Sequence, residues 1–315
     1  MNHSILKTTI AASIVALSVS TAFAAEPASC KAVRFSDVGW TDITATTALT
    51  STVLKGLGYA PKSEVLSVPV TYTSMKNKDI DVFLGNWMPT MEADRKPFVD
   101  DKSVEVLGVN LTGAKYTMAV PTYAYDAGLK TFADIAKFKD KLKGKVYGIE
   151  PGNDGNRLIQ GMIDKDQFGL KGFKMVESSE QGMLAEVERA VKRKEPIVFL
   201  GWEPHPMNSK FKISYLAGGD DVFGPDLGGA TIYTNTRAGY ATECPNVGKL
   251  LKNLVFSLKM ENEVMGKILF DNQDANKAAA AWLKANPATL EPWLKDVTTV
   301  DGQPGLPAVK KSLGL

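Results

Sequence analysis

Short continuous apolar runs alternate with stretches of helical spacing along most of this chain, and few folds accept that pattern. It is the signature of an α/β protein, in which strands are joined by crossover helices. Val33-Arg34-Phe35-Ser36 reads as the first strand. Residues 42–57 then place Ile43, Ala45, Leu49, Val53, Leu54 and Leu57 near helical spacing and stop at Gly58. Residues 64–68 read as a strand, 70–77 as a short helix, 81–84 as a third strand and 104–110 as a fourth, with 116–120 close behind. A second series follows: strand 145–150, helices 156–168 and 181–192, strand 197–200, and extended segments at 212–216 and 231–236. From Pro245 the pattern is mostly helical, through 249–260, 263–270, 274–284 and 290–295. The Gly/Pro-rich tail from Asp301 reads as loosely ordered at its end. A length of 315 residues suits two domains of roughly 150 residues, each large enough for its own core.

Within that alternation one segment is echoed. Asp81-Val82-Phe83-Leu84-Gly85-Asn86-Trp87-Met88-Pro89 resembles Pro196-Ile197-Val198-Phe199-Leu200-Gly201-Trp202-Glu203-Pro204. In each, a buried-type strand runs into Gly, then Trp, then Pro. Phe35-Ser36-Asp37-Val38-Gly39-Trp40 is a third case of strand, Gly and Trp. Carboxyl ends of strands are where open α/β sheets bind ligands, so three tryptophans there are candidate site residues. A single tryptophan in isolation is more often core packing. Trp282 and Trp293 fall in helical segments and keep that reading.

Residues 1–24 carry one basic residue (Lys7), an apolar run at 10–19 and Ala22-Phe23-Ala24, an A-x-A cleavage pattern. This predicts a secretory signal peptide and a free periplasmic product starting near Ala25. The two cysteines, Cys30 and Cys244, then read as one disulfide in an oxidising compartment. Such a bridge would return the last third of the chain to the first strand.

Catalytic chemistry is thin. Only His3 and His205 exist, and His3 lies in the signal peptide. His205, between Pro204 and Pro206, reads as a turn residue. There is no G-x-S-x-G elbow, no P-loop and no G-x-G-x-x-G, so no catalytic residue, cofactor or metal site is assigned. Lys+Arg 37 against Asp+Glu 35 leaves a formal net charge of +2, scattered along the chain. That argues against a nucleic-acid partner, which needs a concentrated basic face.

Binding chemistry is richer. A quaternary ammonium has no N–H to donate, so it is selected by aromatic faces through cation–π attraction of ~0.5–2 kcal/mol per ring when desolvated. Trp40, Trp87 and Trp202 are candidate walls of such a cage.

Those residues sit in stretches that carry a family resemblance: Val38-Gly39-Trp40-Thr41-Asp42, Leu84-Gly85-Asn86-Trp87-Met88-Pro89, Glu150-Pro151-Gly152-Asn153 and Phe199-Leu200-Gly201-Trp202. Over essentially the whole mature chain the sequence resembles the periplasmic substrate-binding components of ABC importers for glycine betaine, choline and related solutes, most of all the choline-binding members. The resemblance implies a type II, flytrap-like fold with two α/β lobes and a two-strand hinge. The expected division is 25–113 with 235–315 as lobe one and 114–234 as lobe two, which puts Cys30 and Cys244 in one lobe. It further implies a cage of Trp40, Trp87, Tyr116 and Trp202, with Asp42 and Asn153 at the ligand's other end. The implied partners are choline, with acetylcholine or betaine as alternatives, and an inner-membrane permease, the protein itself acting as a monomer and not as an enzyme.

Physical chemistry bears on that choice of ligand. Choline and glycine betaine share a cation; one adds a hydroxyl, the other a carboxylate. An anionic Asp42 attracts the cation and accepts from a hydroxyl but repels a carboxylate, which favours choline. Asn153 can serve a hydroxyl in either sense. Two plainer readings stay open: Asp42 as the cap of the helix it begins, and Asn153 as a turn residue. The amides of the same turn offer a carboxylate a seat, which keeps betaine open too.

Overall fold

The computed structural model describes residues 26–315, and the expected signal peptide lies outside the described residues. Among the described residues nine strands form one sheet: β1 (Ala32–Asp37), β2 (Ala60–Val65), β3 (Val82–Met88), β4 (Val104–Pro121), β5 (Lys145–Tyr147), β6 (Lys174–Val176), β7 (Phe199–Glu203), β8 (Ile213–Tyr215) and β9 (Gly229–Arg237). The order is β2-β1-β3-β9-β4-β7-β5-β6, with β8 paired to β4. Each end is a parallel triplet, β2-β1-β3 or β7-β5-β6, and the two are joined through the antiparallel pair β9 and β4. This is the α/β class that the alternation predicts, in a two-lobe arrangement.

β4 corrects one expectation. Residues 104–110 and 116–120 read as separate strands, but Val104–Pro121 is continuous. Its register against β9 shifts repeatedly before Ala114, and Gly113 takes a φ of 77°, so irregularities absorb the break that the sequence suggests. β4 changes partner near Lys115, from β9 to β7, and so belongs to both ends of the sheet.

The first long helix, α1 (Thr41–Gly56), is buried on most of its circumference despite its threonines. Thr46 and Thr50 donate their hydroxyls to the carbonyls of Asp42 and Thr46 at 3.1 and 2.8 Å, which satisfies them without water. β2 lies earlier than the expected 64–68 because Ser67 precedes a second helix, α2 (Val68–Lys76), with Pro69 in its first turn.

The expected helix over 249–260 is instead two, Pro245–Asn253 and Leu258–Leu269. Between them the Phe256 amide donates to the Asn110 carbonyl at 2.7 Å, and Ser257 caps the second helix by accepting from the Met260 amide. The tail is also ordered beyond expectation: Gly305–Leu313 is a helix packed on α1, and Gly56 lacks the Cβ that would press on Val309.

The Cys30–Cys244 disulfide is present, with a Cα separation of 5.6 Å. The described residues hold one cluster with metal-ligand spacing, Glu26 with these two cysteines. Their sulfurs are joined to each other rather than available as thiolates. No helix among the described residues is long and apolar enough to cross a membrane.

Candidate functional site

The carboxyl ends of β1, β3 and β7 meet around one small cavity. Its lining is Trp40, Asp42, Trp87, Tyr116, Ile149 and Trp202. Five of the six residues singled out from the sequence share this wall. Ile149 is the member the sequence reading missed.

Each ring is held by a different element. Trp40 occupies the cap position of α1 in extended geometry, and its indole N–H donates to Glu150 Oε1 at 2.8 Å. Trp87 lies near the end of β3 and donates its indole N–H to Asp42 Oδ2 at 3.2 Å. Tyr116 on β4 is paired in register with Trp202 on β7. The Tyr116 ring stands edge-to-face with both Trp87 and Trp202, at centroid distances of 6.0 and 6.4 Å. Phe223 supports it from behind at 6.0 Å. Gly155 and Gly228 make room for this tyrosine: a Cβ on the first would overlap its hydroxyl, and one on the second its carbonyl.

Asn153 is placed differently. It caps the helix Asp154–Asp164, accepting from the Asn156 amide at 3.2 Å, and its Oδ1 also accepts the Tyr116 hydroxyl at 2.9 Å. It stands behind Tyr116 and is not among the cavity's lining residues. One side chain thus caps a helix and holds the Tyr116 hydroxyl from outside the cavity wall.

Asp42 does not cap α1. It is 1% exposed, and one oxygen is committed to Trp87. Oδ1, also buried, has no partner among the described residues. Burial, with Glu180 adding its charge, pushes the Asp42 carboxyl up to about 8. Other acids crowd the region. Burial pushes Glu150 up to about 7, and burial together with Asp42 raises Glu261 well above the usual carboxylate range. A cation in the cavity would relieve this concentration of acid; an anion would worsen it.

The halves also meet through two links outside the cavity wall. Glu180 accepts from the Thr41 amide and hydroxyl at 2.8 and 2.6 Å. At the rim, Arg157 donates to both oxygens of Asp94 at 2.9 Å. His205, expected to be a simple turn residue, is 2% exposed, and its Nε2 lies 3.2 Å from Glu180. None of these pairs has a local sequence signal, because their partners lie far apart in the chain.

Against solved structures, the chain matches an ABC-transporter choline binding protein in complex with choline at a TM-score of 0.91. The two are 68% identical over 92% of this chain and 100% of that one. An ABC-transporter choline binding protein in unliganded semi-closed conformation matches at 0.84, with 69% identity over 91% of this chain and 100% of that one. The lactococcal OpuAC, closed and complexed with glycine betaine, matches at 0.76, with 27% identity over 84% of this chain and 99% of that one. The conformation is thus nearer the liganded choline binding protein than the unliganded one, in keeping with the contacts across the cavity. The family model for the substrate binding domain of the ABC-type glycine betaine transport system covers residues 31–285, and the chain belongs to that family.

Proposed function

We propose that this protein is the periplasmic receptor of an ABC importer, that it encloses choline in its aromatic cage, and that it hands choline to the permease. The observation that carries the reading is a buried carboxylate oxygen, Asp42 Oδ1, without a partner in a cavity otherwise walled by Trp40, Trp87, Tyr116 and Trp202. The rings take the trimethylammonium by cation–π attraction, and the carboxylate takes the hydroxyl and balances the charge. The Asn153 Nδ2, whose one contact is a long 3.3 Å bond to Asp154, is the group available to the ligand's polar end. Likeness at 68% identity to a choline-bound protein supports the same ligand.

Lobe one is 25–113 with 235–315 and lobe two is 114–234, with β4 and β9 as the hinge; the change of partner on β4 near Lys115 supports that division. Export follows from the signal peptide at 1–24, and the receptor works as a monomer without chemical turnover.

Calorimetric titration with choline, acetylcholine and glycine betaine tests the reading. Choline is expected to bind tightest, glycine betaine to be weakened by the acids, and acetylcholine to be limited by its added acetyl group against the closely set rings. Glycine betaine binding as tightly as choline overturns the choice of ligand. Choline recovered chemically changed after incubation overturns the receptor in favour of an enzyme.

A further inference from the structure

The helix that follows Trp40 and carries Asp42 has no side-chain cap from its own segment. Its cap position is Trp40, whose side chain makes no capping hydrogen bond. The N-terminal amides of a helix need acceptors, and the partial positive charge there favours an anion. The acceptor that α1 receives is Glu180, from the helix Glu180–Arg193 in the other half of the molecule. Glu180 Oε2 takes the Thr41 amide and Oε1 the Thr41 hydroxyl. The carboxylate is 1% exposed and its own helix does not need it, since Ser179 caps that helix by accepting from the Gly182 amide.

A third donor fixes its orientation. His205 Nδ1 accepts the Met207 amide at 2.9 Å, so the ring hydrogen is on Nε2 and is donated to Glu180 Oε1. His205 also packs against the edge of the Trp202 ring, at a centroid distance of 4.8 Å. One carboxylate therefore connects the turn bearing Trp40 and Asp42 to the histidine that supports Trp202.

We propose that Glu180 is the positioning and specificity residue of closure: it caps α1 from across the cleft, completing the ligand-facing turn only when the halves meet, and it reserves the helix's first amide from an anionic ligand. The proposal rests on the reading of the cavity as a cage that closes on a trimethylammonium solute. Apart, Thr41 and Glu180 would each face water, so the capping bonds belong to the closed state and add to what the ligand gains there. A ligand carboxylate would meet Asp42 in the wall, with the charge of Glu180 behind it, and find the Thr41 amide already used. A choline hydroxyl meets neither objection.

The test compares Glu180→Gln, Thr41→Val and their combination with the full-length mature protein. Glu180→Gln keeps the shape and one oxygen but loses the charge. It is expected to weaken choline about ten- to a hundredfold, chiefly through a faster off-rate, and to shift the choline-to-betaine affinity ratio toward betaine. Thr41→Val is expected to lose a smaller factor, and the double variant to lose less than the product of the two. The ligand-free melting temperature should stay near that of the wild type in all three. Multiplicative losses in the double variant, or an affinity within about twofold of wild type together with a lowered ligand-free melting temperature, overturn the proposal, because Glu180 is then ordinary structure. Should wild-type protein bind none of choline, acetylcholine and glycine betaine, the function proposed above fails while the cap is still read directly. Spin labels at the exposed Val65 and Lys165 then report the closed population of ligand-free protein. Longer distances in Glu180→Gln support the cap, and an unchanged distribution overturns it.

Discussion

Segments 81–89 and 196–204 share a pattern of strand, glycine, tryptophan and proline, and both end in a cis X-Pro bond, yet they hold their tryptophans by different means. Trp87 is tied through its indole N–H to Asp42. Trp202 is held by rings, with Tyr116 on one side and His205 on the other, and by Asn208, which donates to its carbonyl at 2.8 Å. The same local pattern thus delivers two walls of one cavity, one coupled to charge and the other to packing. What distinguishes the two walls lies in residues outside either segment, with Asp42 and Tyr116 far away in the chain and His205 and Asn208 just beyond the second segment.

The largest expected effect concerns stability, and it falls on one wall alone. Cys30 precedes β1 and Cys244 follows β9, so the bridge staples the part of the molecule that carries Trp40 and Trp87. Reducing it should lower stability by about 2–5 kcal/mol, since it closes a loop spanning most of the chain. Denaturant melts with and without reductant read this directly. Choline titrated into reduced, folded protein should still bind within a fewfold of the oxidised value. Loss of binding there would show that the bridge shapes the site and that the two walls do not stand independently.

Replacing the tryptophans sharpens the contrast between tether and packing. Alanine at Trp87 or Trp202 should weaken choline by roughly 1–3 kcal/mol, as cation–π and apolar contacts are both lost. Phenylalanine should restore more than leucine at either site, because bulk without a π face leaves the cation unserved. At Trp87, phenylalanine also strips Asp42 of the one donor it has, so Trp87→Phe should cost more than Trp202→Phe. Equal losses for the two phenylalanine variants would erase the distinction. Equal affinities for leucine and phenylalanine would leave simple packing in place of a cage.

Asp42 makes the tethered wall sensitive to pH. Without ligand, burial and the neighbouring Glu180 hold its carboxyl near 8, and Glu150 and Glu261 crowd the same region. A bound cation favours the carboxylate and lowers that value, so binding should release a proton. Choline affinity should therefore fall as pH drops below about 8, by at most tenfold per pH unit. Titrations in two buffers of different ionisation enthalpy measure the release. Asp42→Asn should flatten the profile, weaken choline and improve glycine betaine relative to it. Equal loss for both ligands would remove Asp42 from the choice between them.

The legible and illegible parts of this site divide along the same line. Strand, glycine and tryptophan are neighbours in sequence, so Trp40, Trp87 and Trp202 announce themselves, and an even pair of cysteines in an exported chain announces a bridge. The plainer alternative for Asp42, a helix cap, comes from a rule that is local, whereas the acceptor α1 uses is Glu180, 139 residues away. His205 looked like a turn residue because two prolines flank it, and its burial against Trp202 and Glu180 is set by chain packing. Gly113 hides the single strand β4, and the glycines and prolines at and before its start hide the last helix, although its packing on α1 offsets their cost. Tyr116 came only through family resemblance, for nothing in Ala114-Lys115-Tyr116-Thr117 marks a cage.

The smallest expected effect separates two of the links between the halves, the Glu180 cap and the Arg157–Asp94 pair. Arg157 and Asp94 form a two-point ion pair at the rim, and Arg157 also reaches the Thr90 carbonyl at 3.4 Å. By geometry alone this looks the stronger link. The Arg157 side chain is 41% exposed, however, so water and salt compete for it, and exposed pairs are typically worth about 0–1 kcal/mol. Glu180, by contrast, meets its donors in a dry setting where losing a charged partner costs more. Asp94→Asn should therefore change choline affinity by less than about fivefold, with the difference shrinking as salt rises from low to physiological strength. Calorimetry at two ionic strengths measures both. A loss from Asp94→Asn that matches Glu180→Gln and persists in salt would place the working link at the rim, and the contrast between a buried cap and a screened ion pair would fail.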